Sequence, residues 1–160
     1  MTAMKRLISL CLVTVLASSC SKSHPPVAEL YNSEASTPEG TNFNPIDGKV
    51  ITSYIDTKAG TVATLFGNEI AAKSSASGTA YGTGAALTLV TWQQQADPNW
   101  FGARIPAGME SVETVTFSEE GAPVYERRAG PALMISGLFS DGLTKQRVEW
   151  ITGLRAAVMP

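Results

Sequence analysis

Residues 49–75 read KVITSYIDTKAGTVATLFGNEIAAKSS, and this stretch decides the fold. Its first nine residues and residues 61–66 are rich in β-branched and aromatic side chains, a composition typical of strands. The Lys-Ala-Gly segment between them predicts a turn, and hence a β-hairpin. A short helix is expected over residues 68–75, because Asn68 is a good N-cap and Glu69 lies beside the positive end of the helix dipole.

The chain after this stretch is expected to continue the sheet and to close on a helix. Residues 85–94, AALTLVTWQQ, have an apolar centre and predict a central strand. Residues 96–108 contain two prolines and predict an irregular connection, and residues 111–117 alternate as a half-buried strand does. Two short strands and a final helix capped by Asp141 are expected to follow: residues 123–128, 132–138 and 142–157. The predicted fold class is α+β, with a mostly antiparallel sheet, a short helix after the first hairpin and a C-terminal helix.

Composition narrows the classes of function. The chain has 160 residues, of which 12 are basic and 14 acidic, so its net charge of −2 gives no general attraction for nucleic acid. It has one histidine, His24, and two cysteines, Cys11 and Cys20. These counts exclude a zinc site built from Cys and His clusters, a disulfide framework and a Ser-His-Asp triad in the folded body. No metal site is expected, and the sequence assigns no catalytic residue.

The N-terminus has the three parts of an export signal. Lys5 and Arg6 form a positive region, residues 7–17 are apolar but too short to span a bilayer, and small residues precede Cys20. This arrangement resembles a bacterial lipoprotein signal, in which Cys20 receives the lipid and becomes the first mature residue. An ordinary cleaved signal with Cys20 as a bystander is the alternative. Ser21 stands where an inner-membrane retention signal tends to show Asp, which favours the outer membrane.

The predicted domain organisation follows from this signal and from a change of composition near residue 44. Residues 1–19 are the expected lipoprotein signal peptide, residues 20–44 a flexible tether and residues 45–160 the globular domain. The Ser, Pro, Asn, Thr and Glu residues of the tether bury too little apolar surface to offset their ordering entropy. His24 is expected to be a solvated residue of this tether. The mature chain is expected to be lipid-anchored to the outer membrane and to face the periplasm.

The segment over residues 65–106 resembles the cytochrome P-460 family, a group of small periplasmic cytochromes. The resemblance covers this segment well and the rest of residues 46–160 loosely. It is carried by five pieces of the chain: Gly67-Asn68, Ala71-Ala72, the loop 81–84, the apolar strand 87–92 and Phe101-Gly102-Ala103. The resemblance implies a mostly β, dimer-forming fold with a haem pocket, and an activity such as hydroxylamine oxidation or the binding of small gases.

The chain departs from this family in its means of attaching haem. Family members end in Cys-x-x-Cys-His, which attaches haem and supplies its axial histidine. The expected mature chain has no cysteine beyond Cys20 and no histidine beyond His24, so covalent c-type haem is excluded. We therefore expect a binding or structural module that has lost covalent haem and holds no cofactor. The alternative, implied by the resemblance, is a haem oxidoreductase that binds its cofactor non-covalently, so the sequence leaves open whether the chain is an enzyme.

The same comparison indicates candidate pocket residues. Lys73 lies in the short helix, and one branch of the family cross-links haem to a lysine; a solvated helix lysine is the alternative. Four aromatic residues are candidates to line a pocket, with closure of the core as the alternative: Tyr81, Trp92, Trp100 and Phe101. The expected partners are the membrane, through a lipid on Cys20, and a second copy of the chain in a homodimer.

Overall fold

The computed structural model describes residues 31–119, 123–136 and 141–156. Its strands and α-helices are, in chain order, β1 (Lys49–Asp56), β2 (Thr61–Gly67), α1 (Glu69–Ser77), β3 (Ala86–Ala96), β4 (Arg104–Thr116), β5 (Val124–Ala129), β6 (Met134–Ile135) and α2 (Asp141–Gly153). Each strand pairs antiparallel with the next, so the sheet order is the same as the chain order. The predicted α+β class, with a helix after the first hairpin and another near the C-terminus, is confirmed.

The hairpin and the helix expected from the opening stretch are both present. β1 and β2 pair along their length, from Asp56 and Thr61 at the turn to Lys49 and Gly67 at the far end. Asn68 caps α1, because its Oδ1 accepts a hydrogen bond from the backbone N–H of Ala71 at 2.9 Å. Its Nδ2 also donates to the carbonyl of Gly84 at 2.7 Å. One side chain therefore fixes both the start of the helix and the loop that leads into β3.

The sheet has a core on each of its faces, because successive residues of a strand point to opposite sides. On the face that we call the helix face, strand residues pack against both helices: Leu65, Leu87, Leu89 and Val115 with Ala71, Val148 and Ile151. On the other face, which we call the strap face, a second core contains Val90, Trp92, Met109, Val112 and Leu133. Because both faces are covered, the central strand β3 reads as an apolar run rather than as an alternating one.

Residues 32–45, which we call the N-terminal strap, lie against the second core. The indole N–H of Trp92 donates to the carbonyl of Ala35 at 2.9 Å. Ala35 and Phe43 pack against the core of the strap face, and the guanidinium of Arg128 lies 4.7 Å from the centre of the Phe43 ring. The strap thus supplies both an acceptor for a buried indole and an aromatic cover for the sheet.

This strap differs from the prediction made for residues 20–44. Composition predicts a flexible tether there, whereas the residues from Asn32 onward contact the sheet. The apolar side chains of the strap are few, but they meet an apolar face that is already formed by β3 and β4. The predicted signal peptide, Cys20 and His24 lie outside the described residues.

Three element boundaries also differ from the sequence prediction. β4 begins at Arg104 and takes up part of the connection predicted to be irregular. Pro106 is compatible with this longer strand, because β5 stops pairing with β4 at Ser111 and the missing N–H falls on an unpaired edge. β6 has only two residues, and α2 ends at Gly153, earlier than residue 157.

The β3–β4 hairpin extends beyond its neighbours as a two-stranded arm. β2 pairs with β3 only as far as Gln93, and β5 pairs with β4 only as far as Ser111. Residues 94–96 and 104–106 therefore form strand pairs only with each other. We call residues 94–106 the arm and residues 97–103 its tip. No helix among the described residues is long and apolar enough to cross a membrane.

Candidate functional site

A cavity of about 750 Å³ opens between α2 and the helix face of the sheet, and we call it the groove. Its floor contains Thr91 and Ser111, which lie directly opposite each other on β3 and β4. Tyr54 from β1 and Trp150 from α2 contribute the aromatic part of its lining. Thr91 and Ser111 have shorter side chains than Leu89 and Val115, which lie farther along the same strands and belong to the core of this face.

A buried ion pair lies at the inner end of the groove. Glu113 on β4 is only 2% exposed. Arg147 on α2 donates from Nε to Oε1 of this carboxylate at 2.8 Å and from Nη2 to Oε2. The hydroxyl of Tyr125 on β5 also donates to Oε1. The carboxylate thus holds three donors from two elements, as a buried charge requires.

The electrostatics of this pair keep the carboxylate charged. Burial by itself raises the pKa of Glu113, but hydrogen bonds from Arg147 and Tyr125 and the charges of Arg147 and Arg127 lower it more. The net pKa of Glu113 is below its ordinary value. The hydrogen bond to Glu113 raises the pKa of Arg147, and burial together with the same carboxylate raises the pKa of Tyr125. At neutral pH, Glu113 is an anion and Tyr125 is a neutral donor.

Aromatic contacts fix the outer wall of the groove. The guanidinium carbon of Arg147 lies 4.3 Å from the centre of the Trp150 ring. Tyr54 meets Trp150 edge to face, with ring centres 5.6 Å apart and an angle of 85° between the rings. The pKa of Tyr54 is raised, chiefly by burial, so its phenol stays protonated. Trp150 is 41% exposed, which leaves part of the indole free to contact a ligand.

The lining of the groove carries both signs of charge. Asp56 and Glu110 are exposed and lie at its mouth, whereas Arg127 is half-buried and pairs directly with Glu113 on the neighbouring strand. The Asp56 carboxylate accepts hydrogen bonds from the backbone N–H groups of Lys58 and Ala59 and so also holds the β1–β2 turn. Arg127 donates to the hydroxyl of Ser136 at 3.1 Å. A ligand in the groove would meet hydroxyls at the floor and charged groups at the rim.

The structure does not bring the sequence-predicted site residues together. Lys73 is exposed on α1 and lines neither the groove nor a second cavity, which contains Tyr81. Tyr81 lines a separate cavity of about 390 Å³, where its ring centre lies 5.8 Å from that of Phe117. Trp92 is buried on the strap face, on the other side of the sheet. Trp100 and Phe101 lie at the tip of the arm, 73% and 110% exposed.

The donor groups of the groove do not fit haem iron. Haem proteins ligate iron through imidazole, thiolate, thioether or phenolate groups. Among the described residues that line the groove there is no histidine, cysteine or methionine. Tyr54 is a phenol whose raised pKa disfavours the phenolate form. Within residues 31–119, 123–136 and 141–156, no group of three or more His, Cys, Asp or Glu side chains could hold a metal ion.

Sequence reasoning missed the residues that form the groove, above all Glu113 and Arg147. A usable signal was present in the alternating segment over residues 111–117. Strand period places Glu113 on the same face as Val115, and a carboxylate on a buried face requires a partner. The identity of that partner was out of reach, because Arg147 lies 34 residues farther along the chain.

Comparison with known proteins adds no assignment. No protein-family model matches the chain, and no curated protein matches it. The chemistry of the groove itself is therefore the basis on which a function can be assigned.

Proposed function

We propose that this chain is a lipid-anchored, periplasm-facing binding module that holds a small polar ligand in the groove. The observation that carries binding is the buried Glu113–Arg147 pair, completed by Tyr125. These three side chains come from β4, α2 and β5, so the pair joins α2 to the sheet and fixes the width of the groove. A cavity that is formed before its ligand arrives loses little ordering entropy on binding.

The chemistry of the groove favours binding over catalysis. A general base needs a free lone pair within reach of the proton that it removes. Oε1 of Glu113 accepts two hydrogen bonds and Oε2 accepts one, and the pKa of Glu113 lies below its ordinary value, which makes this carboxylate a weak base. The phenols of Tyr54 and Tyr125 have raised pKa values and stay protonated. These groups orient and donate, and they do not activate the hydroxyls of Thr91 or Ser111.

The ligand that best fits the groove is a saccharide-sized ring with several hydroxyl groups. The floor offers the hydroxyls of Thr91 and Ser111, the rim offers carboxylates, and Arg127 offers a guanidinium beside the buried pair. The exposed part of Trp150 can contact the apolar face of such a ring. The volume of about 750 Å³ is in the range typical of small-molecule sites.

The anchored location and the haem-free state are proposed from the sequence. The signal that ends at Cys20 supports acylation there and an outer-membrane address, and the resemblance to the cytochrome P-460 family supports a homodimer. The lack of a Cys-x-x-Cys-His segment supports the loss of covalent haem. In cells, Cys20→Ala should move the protein from the membrane fraction or leave it unprocessed. A variant that fractionates and matures like wild type would contradict the anchor, and a Soret band in the purified protein would contradict the haem-free state.

The binding proposal is tested by thermal unfolding against a panel of mono- and disaccharides, with two matched variants. Thr91→Val removes one floor hydroxyl and keeps the shape of the side chain. Thr88→Val makes the same change on the same strand but on the strap face. A saccharide that raises the unfolding temperature of wild type and of Thr88→Val should have no effect on Thr91→Val. An equal rise in all three proteins, or in none of them, contradicts binding in the groove.

A further inference from the structure

The tip of the arm presents two neighbouring aromatic rings to solvent. Trp100 is 73% exposed and Phe101 is 110% exposed. Single exposed apolar residues are ordinary on protein surfaces, but adjacent aromatic rings at the end of a projecting hairpin are a typical contact surface. Residues 94–96 and 104–106 form strand pairs only with each other, and the N–H of Gln94 still donates to the carbonyl of Gly60 at 2.9 Å, so the arm begins at the end of β2 and carries these rings beyond it.

The tip holds the rings in place by its own backbone. The Asp97 carboxylate accepts from the N–H of Asn99 at 2.8 Å, and the N–H of Asp97 donates to the carbonyl of Ala103 at 3.0 Å. The N–H of Ala103 donates in turn to the carbonyl of Trp100 at 3.1 Å. Gly102 has a φ of +81°, which closes this turn without steric cost. The rings are thus displayed by an ordered turn.

The arm lies on the side of the domain where the N-terminal chain arrives. The side-chain amide of Asn32 donates to the carbonyl of Pro106, at the base of the arm. Phe101 is five residues from Pro106, which corresponds to about 18 Å of chain at most. Asn32 follows Cys20 by twelve positions, which allows a reach of about 43 Å at most. An acyl chain on Cys20 therefore keeps Asn32, at the base of the arm, within about 43 Å of the bilayer surface, a distance at which the tip can reach the lipid.

We infer that Trp100 and Phe101 insert into the lipid interface and give the anchored domain a second contact with its membrane. The inference rests on the lipid anchor of the proposed function. Tryptophan favours the headgroup level of bilayers, and a single lipid anchor is strengthened by an additional apolar contact. The contact also orients the domain relative to the membrane. Thr61 lines the groove and pairs with Gln93, the residue directly before the arm. The groove thus begins next to the base of the arm whose tip contacts the lipid.

The test uses the chain from Cys20 onward, which includes the whole compact unit Asn32–Pro160. Its Cys20 thiol is coupled to a maleimide lipid in vesicles of phosphatidylethanolamine and phosphatidylglycerol, with or without brominated acyl chains. We expect the brominated chains to quench tryptophan emission. Trp100→Phe should abolish that quenching, whereas Trp150→Phe should leave it in place. Quenching that is absent from wild type, or unchanged in Trp100→Phe, overturns the inference.

A second measurement follows the uncoupled chain on the same vesicles. The paired change Trp100→Ser with Phe101→Ser should lower the partition coefficient about tenfold. The matched change Met134→Ser with Ile135→Ser removes two adjacent residues that are 69% and 66% exposed on β6, and it should have no effect. Equal partitioning of both variants and wild type overturns the lipid contact. The mass of Cys20 in protein from cells reports acylation separately, so a missing acyl chain with retained quenching contradicts the anchor alone.

Discussion

Arg147 on α2 binds Glu113 on β4 through two donors, but the two partners differ in their access to water. The side chain of Glu113 is 3% exposed and that of Arg147 is 36% exposed. The carboxylate has therefore lost its hydration, whereas the guanidinium keeps part of it. This asymmetry decides which partner is the more costly to remove, because an unpaired buried charge is destabilising and a hydrated one is not.

Arg147→Met is expected to destabilise the fold more than Glu113→Gln. The first change leaves a buried carboxylate with only the Tyr125 hydroxyl as a strong donor, and we expect a loss of about 3–5 kcal/mol. The second leaves an arginine that can turn toward solvent, with an expected loss of about 1–3 kcal/mol. Urea unfolding of both variants measures the two losses. The double variant should lose less than their sum, and additive losses would show that the pair is not coupled.

The Glu113 pair also predicts how stability depends on acid. The pKa of Glu113 is lowered in the folded state relative to about 4.5 in the unfolded chain. Its contribution is therefore fully present above pH 4.5 and is lost as the pH falls toward the folded-state value, because the unfolded chain binds the proton more readily. The difference in free energy of unfolding between wild type and Glu113→Gln should shrink below pH 4.5. A difference that stays constant from pH 7 to pH 3 would contradict the lowered pKa.

The N-terminal strap is expected to contribute to stability. A chain that begins at Asn44 lacks the Ala35 carbonyl and Phe43, so it should melt about 5–10 °C below a chain that begins at Asn32. Trp92→Phe, which removes the indole donor, should lower the stability of the longer chain by about 1 kcal/mol and have a smaller effect on the shorter one. Calorimetry of the four proteins checks both statements. Equal melting temperatures for the two starting points would show that residues 32–43 do not stabilise the domain.

Alanine substitutions at two glycines that have a left-handed backbone distinguish the cost of a steric clash from the cost of backbone strain. Gly48 has a φ of +99°, and a Cβ there would lie 2.7 Å from the carbonyl oxygen of Gly67. Gly40 has a φ of +81°, and a Cβ there would meet nothing within 4 Å. Both alanine variants bear the backbone cost, but only Gly48→Ala adds a clash, which we expect to cost about 1–3 kcal/mol more. Similar unfolding free energies for the two variants would contradict the close approach.

The sequence predicts those parts of the fold that depend on neighbouring residues. The first hairpin and the Asn68 cap are specified within a few positions, and both are confirmed. Pro106 led to the wrong prediction of an irregular connection, because a proline argues against a strand. It is compatible with β4 only because β5 stops pairing before it, and that depends on pairing elsewhere in the sheet. The groove was out of reach for the same reason, since its lining comes from β1, β2, β3, β4, β5 and α2. Local patterns report Glu113 as a strand residue, and only the tertiary structure shows its partner.

The order of the sheet has a consequence for the order in which the chain folds. Because each strand pairs with the next one along the chain, most pairings form from local contacts, which favours rapid folding as successive hairpins emerge. The strap is the exception. Ala35 is synthesised early, but its hydrogen-bond partner Trp92 lies on β3. Asn32 likewise can form its hydrogen bond to Pro106 only after β4 has been synthesised. Residues 32–43 are thus synthesised early and dock late, because the parts of β3 and β4 that they contact must form first.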